Sequence, residues 1–181
     1  MIGDQMQKPD VPSDDPNVEL TFRLAKPDDA PAIQAMIRAL AETTGALDRV
    51  SSDADDVRQH GFGRDPLFEC LLAERGDVAV GLCLYFYTYS SWLGEPGVYV
   101  QDLYVTESES GGGVGRQLLA TVASTARARN ATHLRLSVEA DNRSAAAFYE
   151  SIGMEHRDQE LTYHLGGSAF TALTDSSGDS S

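Results

Sequence analysis

The sequence predicts an α+β fold in one domain, and three observations carry this prediction. Its 181 residues can bury a sizeable core, and 41% of them are hydrophobic, as expected of a globular protein. Apolar, β-branched and aromatic runs of strand length recur along the chain. Longer segments, above all 27–41 and 114–129, carry apolar residues at helical spacing. We expect a sheet of six to seven strands flanked by about four helices.

The elements can be assigned in order along the chain. Strands are predicted over 19–25, 67–74, 78–87, 98–105 and 133–138, with one or two more in 155–165. Helices are predicted over 27–41, 53–60, 114–129 and 145–152. Asp28 and Asp29 favour the positive end of the first helix. Asn142 is a good N-cap for the last helix, and Gly153 is typical of a helix end.

Both ends of the chain differ in composition from the segment between them. Residues 1–17 are rich in Asp and Pro and poor in large apolar residues, which predicts a disordered acidic leader. Residues 167–181 are mostly Gly, Ser, Asp and Thr, which predicts a disordered polar tail. The folded domain is therefore expected over residues 18–166.

The charge is strongly acidic. The 28 Asp and Glu residues against 14 Lys and Arg give a formal net charge of −14, which argues against nucleic acid or an anionic membrane as a partner. Lys8 and Lys26 are the only lysines. High Asp with so little Lys suggests a halophilic protein, and a GC-rich genome without salt adaptation is the alternative.

Cysteine and histidine usage indicates neither disulfides nor a metal site. Cys70 and Cys83 each lie in an apolar run, so buried free thiols in a reducing cytoplasm are expected. The four histidines form no ligand pattern. No secretory signal and no membrane-length apolar run is visible, which favours a cytoplasmic location.

The strand–loop–helix segment around residues 98–119 is the clearest functional signal. An apolar strand, Val98 to Val105, leads through a polar loop to Gly111-Gly112-Gly113-Val114-Gly115 and a helix start at Arg116. Glycines let backbone N–H groups converge, and the first helical turn offers unpaired donors at its positive end, so this arrangement favours phosphate binding. It is neither a P-loop nor a dinucleotide fingerprint. A flexible connection is the alternative interpretation.

Two motifs together resemble the GCN5-related N-acetyltransferase (GNAT) superfamily. Gly113-Val114-Gly115 matches the end of that family's Gln/Arg-x-x-Gly-x-Gly/Ala acetyl-CoA loop. A second signature is matched downstream, at Asn142, Ala146, Phe148-Tyr149 and Gly153. The resemblance covers roughly residues 20–165. It implies a strongly twisted mixed sheet whose central strands, 98–105 and 133–138, splay apart.

The resemblance also implies a coenzyme site and a reaction. Acetyl-CoA would be the co-substrate, held by its diphosphate on residues 111–116 and by its pantetheine arm on the strand edge. The residues implied to bind it are Leu103, Tyr104, Val105, Gly111, Gly112, Gly113, Val114, Gly115, Arg116 and Asn142. Tyr149 would donate a proton to the departing sulfur during direct attack by an amine. A half-buried helix aromatic is the alternative for Tyr149, and a plain helix cap for Asn142. Family relatives suggest a homodimer.

Residues 60–74, before the second strand, and residues 87–94, after the third, resemble the diamine (spermidine/spermine) acetyltransferase branch more closely, with departures at the acceptor site. Trp92 and Asp102 match residues of that branch, which implies contact with the substrate. Gln101 stands where the branch has a Glu proposed as a base relay, and an amide cannot accept the proton, so Gln101 is expected to contact the substrate without acting as the base. Ser110 replaces the Gln or Arg that begins the acetyl-CoA loop.

The acceptor is therefore expected to be a primary amine of a small molecule, such as a diamine, an amino acid or an analogue. Most of the carboxylates that a polyamine needs along its cleft are missing, so the polyamine substrate is not carried over. Two alternatives remain at this stage. One is a non-catalytic acetyl-CoA-binding sensor, and the other is a peptide or protein N-acetyltransferase.

Overall fold

A five-stranded mixed sheet is the main element of the computed structural model, which describes residues 18–158 and 160–175. The strands are β1 (Leu20–Leu24), β2 (Glu69–Arg75), β3 (Val78–Ser90), β4 (Glu95–Val105) and β5 (His133–Arg135). They lie in the order β1-β2-β3-β4-β5, and every neighbouring pair is antiparallel except the parallel pair β4–β5. The helices are α1 (Ala30–Thr43), α2 (Ala54–Phe62), α3 (Val114–Arg127), α4 (Arg143–Ser151) and α5 (Gly167–Asp175). The predicted α+β class is confirmed.

The chain divides into two compact units, the first ending at Asn142 and the second beginning at Arg143. The first unit contains all five strands with α1, α2 and α3, whereas the second contains α4 and α5. The predicted leader, residues 1–17, lies outside the described residues, as does the end of the predicted tail, residues 176–181. The helix α5 occupies the start of that tail, where the sequence predicts disorder.

The core of the first unit lies on both faces of the sheet. Leu82 and Leu84 of β3 pack in one buried cluster with Ile33 of α1 and Val57 of α2. The alternate positions on β3 face the other way, because successive strand side chains point to opposite faces. On that side α3 packs so closely that a Cβ added at Gly81 would lie 3.3 Å from Leu118. The helices therefore cover the sheet on both sides.

A β-bulge interrupts β4 in its second half. Leu84 of β3 pairs with Asp102, but the next residue of β3, Tyr85, pairs with Val100, so Gln101 is the extra residue. A bulge bends its strand and increases the local twist. Pairing between β4 and β5 ends at Tyr99 and Arg135, while β4 continues to Val105. Among the described residues, the second half of β4 is therefore paired on one edge only, to β3.

The strand count and two strand predictions need correction. The structure has five strands in the described part of the chain instead of six to seven, and five α-helices instead of about four. β5 stops at Arg135 instead of Val138, because the bulged β4 no longer runs beside it. The predicted last strand or strands in 155–165 are not present over the described residues of that range. That segment lies between α4 and α5, and a strand without a neighbour has nothing to satisfy its N–H and C=O groups.

A two-residue turn joins β2 to β3, and the helix end predicted at Gly153 is confirmed. The β2–β3 hairpin turns at Gly76-Asp77, with Gly76 at φ +62°. Gly153 ends the last predicted helix with φ +91°, and its N–H donates to the Glu150 carbonyl at 3.0 Å. The Met154 N–H donates to the Tyr149 carbonyl at 3.0 Å, which completes a Schellman motif.

Candidate active site

The glycine segment forms the N-terminal mouth of α3, as the sequence predicts. A 3₁₀ turn, Glu107–Glu109, follows β4, and Gly113 is the N-cap of α3. Gly111 and Gly113 have φ angles of +76° and +83°, in the left-handed region that favours glycine. The first turn of α3 contains no acidic residue, and no side chain caps it. Its unpaired N–H groups are therefore available to an anion.

Space is left beside these glycines. A Cβ added at Gly113 would find only Gln117 Nε2 as a neighbour, at 4.0 Å, and one added at Gly111 would find nothing within 4 Å. Crowding inside the protein therefore does not explain why these positions are glycine. The left-handed backbone explains it in part, and open space over the loop permits close approach of a ligand.

The structure brings the predicted strand residues near the predicted loop. Leu103, Tyr104 and Val105 are the last three residues of β4, and the short connection 106–110 joins them to the glycines. Because β5 has already ended its pairing, their backbone has a free edge opposite β3. Asn142 ends the first unit, and its N–H donates to the Glu139 carbonyl at 2.9 Å.

A cleft of about 550 Å³ lies between the C-terminal part of α1, the end of β4 and the loop that follows. It is lined by Ala39, Glu42, Thr43, Tyr104, Val105, Glu107 and Ser110. Two carboxylates and no basic side chain belong to this lining. A cation is therefore a better electrostatic match for the cleft than an anion.

Asp102 is a half-buried carboxylate beside the bulge. Its pairing with Leu84 places it on the same face of the sheet as the α1 and α2 cluster. Burial raises the pKa of Asp102 above its ordinary value, and no hydrogen bond from the described residues offsets that burial. Gln101, the bulged residue, is exposed. The two predicted substrate-binding residues of β4 thus lie in different environments.

Trp92 lies far from the predicted coenzyme-binding residues of β4 in this chain. It lies in the turn between β3 and β4, and 98% of its surface is exposed. The turn is at the opposite end of β4 from Leu103, Tyr104 and Val105, and at the usual rise of a strand about 26 Å separates Glu95 from Leu103.

Tyr149 lies on α4 in the second unit. Its ring centroid is 5.1 Å from that of Phe148, with the rings tilted by 59°. The helix begins directly after Asn142 and ends at the Schellman motif around Gly153. Tyr149 is partly buried on this helix, and its predicted catalytic role stays a prediction.

Sequence reasoning missed three residues of this region. Glu42 and Glu107 line the cleft, and Arg75 of β2 binds the carboxylate of Glu109 next to the glycine loop. The polar side chains at the end of the otherwise apolar α1 pattern are a signal for Glu42. The Arg75–Glu109 contact joins residues far apart in the chain and leaves no local signal.

The described residues contain neither a cluster of metal ligands nor a membrane-spanning helix. Across residues 18–158 and 160–175, no cluster of three or more His, Cys, Asp and Glu side chains could hold a metal ion. No helix in the same ranges is long and apolar enough to span a membrane.

Comparisons with known proteins identify relatives of this chain. Residues 33–154 match the Acetyltransferase (GNAT) family. The chain is 34% identical over 163 residues to a thialysine N-epsilon-acetyltransferase of Mus musculus, covering 84% of this chain and 95% of that protein. It is 33% identical over 151 residues to the spermidine/spermine N(1)-acetyltransferase-like protein 1 of Homo sapiens, covering 80% of this chain and 22% of that protein. An integron cassette protein from the mobile metagenome of V. cholerae has the same fold, with a TM-score of 0.72 and 21% identity over 86% of this chain and 97% of that one.

Proposed function

Because the chain belongs to the GNAT acetyltransferase family and is thus an acyltransferase, we propose that it moves an acetyl group from acetyl-CoA to a primary amine of a small molecule. One observation carries the proposal above the others. The glycine mouth of α3 follows directly on the half of β4 whose edge is free. Relatives named for thialysine and for spermidine and spermine support a small amine as acceptor.

The residues of the first unit are suited to the coenzyme. Open space lies beside Gly111 and Gly113. The Gly112 N–H already donates to the Glu109 carbonyl, so the diphosphate would be held by the other N–H groups of the loop and of the first turn of α3, with Arg116 as a cation at the helix start. The free edge of Leu103, Tyr104 and Val105 would pair with the amides of the pantetheine arm, which removes the cost of an unpaired strand edge. Asn142 would contact the same coenzyme from the other side of the gap between the parted strands.

The reaction needs a neutral amine and a proton for the leaving sulfur. The amine nitrogen would attack the thioester carbonyl directly, the C–S bond would break, and the thiolate would take a proton from the Tyr149 hydroxyl. The proton that the attacking nitrogen loses as the amide forms would return to Tyr149 through water. An alkyl ammonium has a pKa of about 10.4 by analogy with lysine, so the amine must first lose a proton. Gln101 cannot accept it, which leaves a water to do so. Asp102 would hold the incoming ammonium close to the bulge.

The cleft at the end of β4 favours a cationic acceptor. Its carboxylates, Glu42 and Glu107, attract an ammonium group and repel an acidic molecule. A diamine, an amino acid with an amino side chain, or an analogue of one would meet this requirement. The same charges oppose a strongly acidic peptide as acceptor.

Thiol release from acetyl-CoA in the presence of an amine panel tests this function. The panel contains small diamines, basic amino acids and peptides with a free N-terminal amine. A tertiary amine, which is charged but cannot be acetylated, is the matched control. We expect release with at least one small primary amine and none with the tertiary amine. Coenzyme binding without release on any amine would instead indicate a sensor, and release on peptides alone would indicate a protein N-acetyltransferase.

Assembly and location are part of the proposal. Family resemblance supports a homodimer that works in the cytoplasm. Sedimentation equilibrium of the purified protein tests the assembly, because a monomer at micromolar concentration would contradict it.

A further inference from the structure

An arginine on the neighbouring hairpin binds the loop that leads into the glycines. Arg75, the last residue of β2, donates from Nε to Glu109 Oε1 at 2.5 Å and from Nη2 to Glu109 Oε2 at 2.7 Å. Its third nitrogen, Nη1, donates to the Val18 carbonyl at 2.7 Å. The pair is largely sheltered, with 24% of the Arg75 side chain and 15% of the Glu109 side chain exposed. Arg75 and Glu109 thus form a bidentate ion pair, and a third hydrogen bond fixes the guanidinium, unlike in a typical exposed ion pair.

Backbone hydrogen bonds connect Glu109 to the glycine loop. Its N–H donates to the Thr106 carbonyl at 3.1 Å, and its carbonyl accepts from the Gly112 N–H at 3.2 Å. A residue held at its side chain by β2 is thus bonded on both sides to the turn that precedes α3. Loop glycines lose more conformational entropy on ordering than other residues, so a contact that fixes the neighbouring Glu109 reduces the entropy that remains to be lost when the coenzyme binds.

The pair also settles the charge of the loop. Glu107 and Glu109 are acidic, and position 110 is a serine. Arg75 is the group that compensates Glu109, and its guanidinium holds the pKa of that carboxyl below its usual range. Without Arg75, an uncompensated carboxylate would stand beside a loop that must accept a diphosphate.

We propose that Arg75 is a positioning residue for the coenzyme, which through Glu109 holds the glycine loop in the geometry that binds the diphosphate. This inference rests on the proposed function. It assigns a role to a residue of β2, outside both motifs of the acetyl-CoA site.

Two acetyl donors separate this role from general structural damage. Acetyl-CoA carries the diphosphate, whereas acetyl-pantetheine has the same thioester arm without it. We expect Arg75→Met to raise the Kd of acetyl-CoA about tenfold. The KM for acetyl-pantetheine and kcat with either donor should stay unchanged. Glu109→Ala should raise the Kd of acetyl-CoA in the same direction but by less, because it leaves no uncompensated carboxylate, and the double variant should match Glu109→Ala.

A conservative variant and a matched control complete the design. Arg75→Lys keeps the charge but not the fork, so it should lose most of the acetyl-CoA affinity that Arg75→Met loses. It also carries the test if Arg75→Met fails to fold. The control is Arg129→Met, which breaks the ion pair of Arg129 with Glu69 at the opposite end of β2 and should leave both donors unaffected.

The opposing results are distinct. If the variants lose affinity equally for both acetyl donors, the positioning role is overturned. Tighter binding of acetyl-CoA by Glu109→Ala would also overturn it, because Arg75 would then only compensate the charge of Glu109. Unchanged affinity in the variants, with normal binding by the wild type, would overturn this inference alone. A wild type that binds no acetyl-CoA would overturn the proposed function and this inference with it.

Discussion

At the scale of single residues, Asp102 occupies the most unusual environment of the candidate site. Carboxylates are normally exposed or paired when they are buried, yet this one is half-buried beside a bulge with a raised pKa. Such a group destabilises the fold at neutral pH. Groups of this kind cluster at functional sites, where binding of an opposite charge offsets the cost.

Asp102→Asn should therefore stabilise the protein while impairing catalysis. A raised pKa in the folded chain means that ionisation costs more there than in the unfolded chain. The penalty is present at pH 7 and disappears at low pH, where both states are protonated. We expect a higher Tm than wild type at pH 7, a difference that vanishes below about pH 3, and a fall of at least about tenfold in kcat/KM for the amine. A lower Tm at pH 7 with unchanged kcat/KM would show that Asp102 is structural.

Tyr149→Phe should slow turnover and spare coenzyme binding. The substitution removes only the hydroxyl that would protonate the thiolate and keeps the ring beside Phe148. We expect kcat to fall by about two orders of magnitude, a usual contribution of acid catalysis, with Kd for acetyl-CoA unchanged. Phe148→Leu is a control for general damage to α4. Unaltered kcat in Tyr149→Phe would mean that water supplies the proton.

At the scale of elements, β4 shows what could be predicted and what could not. Its apolar run, the glycines after it and the amphipathic α3 are local patterns, so the strand, the glycine loop and the helix start were predictable from the sequence. The bulge at Gln101 depends on the register with β3, which no local pattern encodes. The contact of Arg75 with Glu109 likewise depends on how distant segments meet. The described residues of 155–165 form no strand, which shows that weak alternation does not make a strand without a neighbour.

Arg23 is an element-scale link among β1, β2 and the start of α1. It donates to both carboxylate oxygens of Glu74, at 2.8 and 2.6 Å, and to both of Asp29, at 2.7 and 2.9 Å. The Arg23 guanidinium lowers the pKa of Asp29, so the stabilisation is complete above the ordinary carboxyl pKa. It is lost as the pH falls through the lowered value.

Arg23→Met should lower the Tm by about 3 °C at pH 7, and this difference should shrink at acidic pH as Asp29 becomes protonated. Thermal unfolding followed by circular dichroism across that pH range measures both effects. Arg58→Met is the matched control, because Arg58 pairs with Asp55 on the exposed surface of α2. A difference that is independent of pH would mean that packing of the Arg23 stem, not its charge, stabilises these elements.

At the scale of the whole molecule, the net charge of −14 dominates. Like charges repel one another and destabilise a compact state, and salt screens that repulsion. We propose that the protein is adapted to concentrated salt. Its Tm should rise by at least about 5 °C between about 0.1 M and about 2 M KCl, the range over which the screening length falls from ~10 Å to below ~3 Å. A Tm that stays constant or falls over this range would contradict the adaptation.

The central claim is that backbone N–H groups at the mouth of α3 bind the coenzyme diphosphate, and calorimetric titration of acetyl-CoA into Gly113→Ala tests it most directly. Gly94→Ala is the matched control, because Gly94 also has a positive φ, +70°. An added Cβ has similar space at both positions: its nearest neighbour would be Tyr89 at 3.9 Å for Gly94 and Gln117 at 4.0 Å for Gly113. We expect Gly113→Ala to weaken binding by more than about tenfold and Gly94→Ala to bind like the wild type. Equal affinity in all three proteins would contradict the claim.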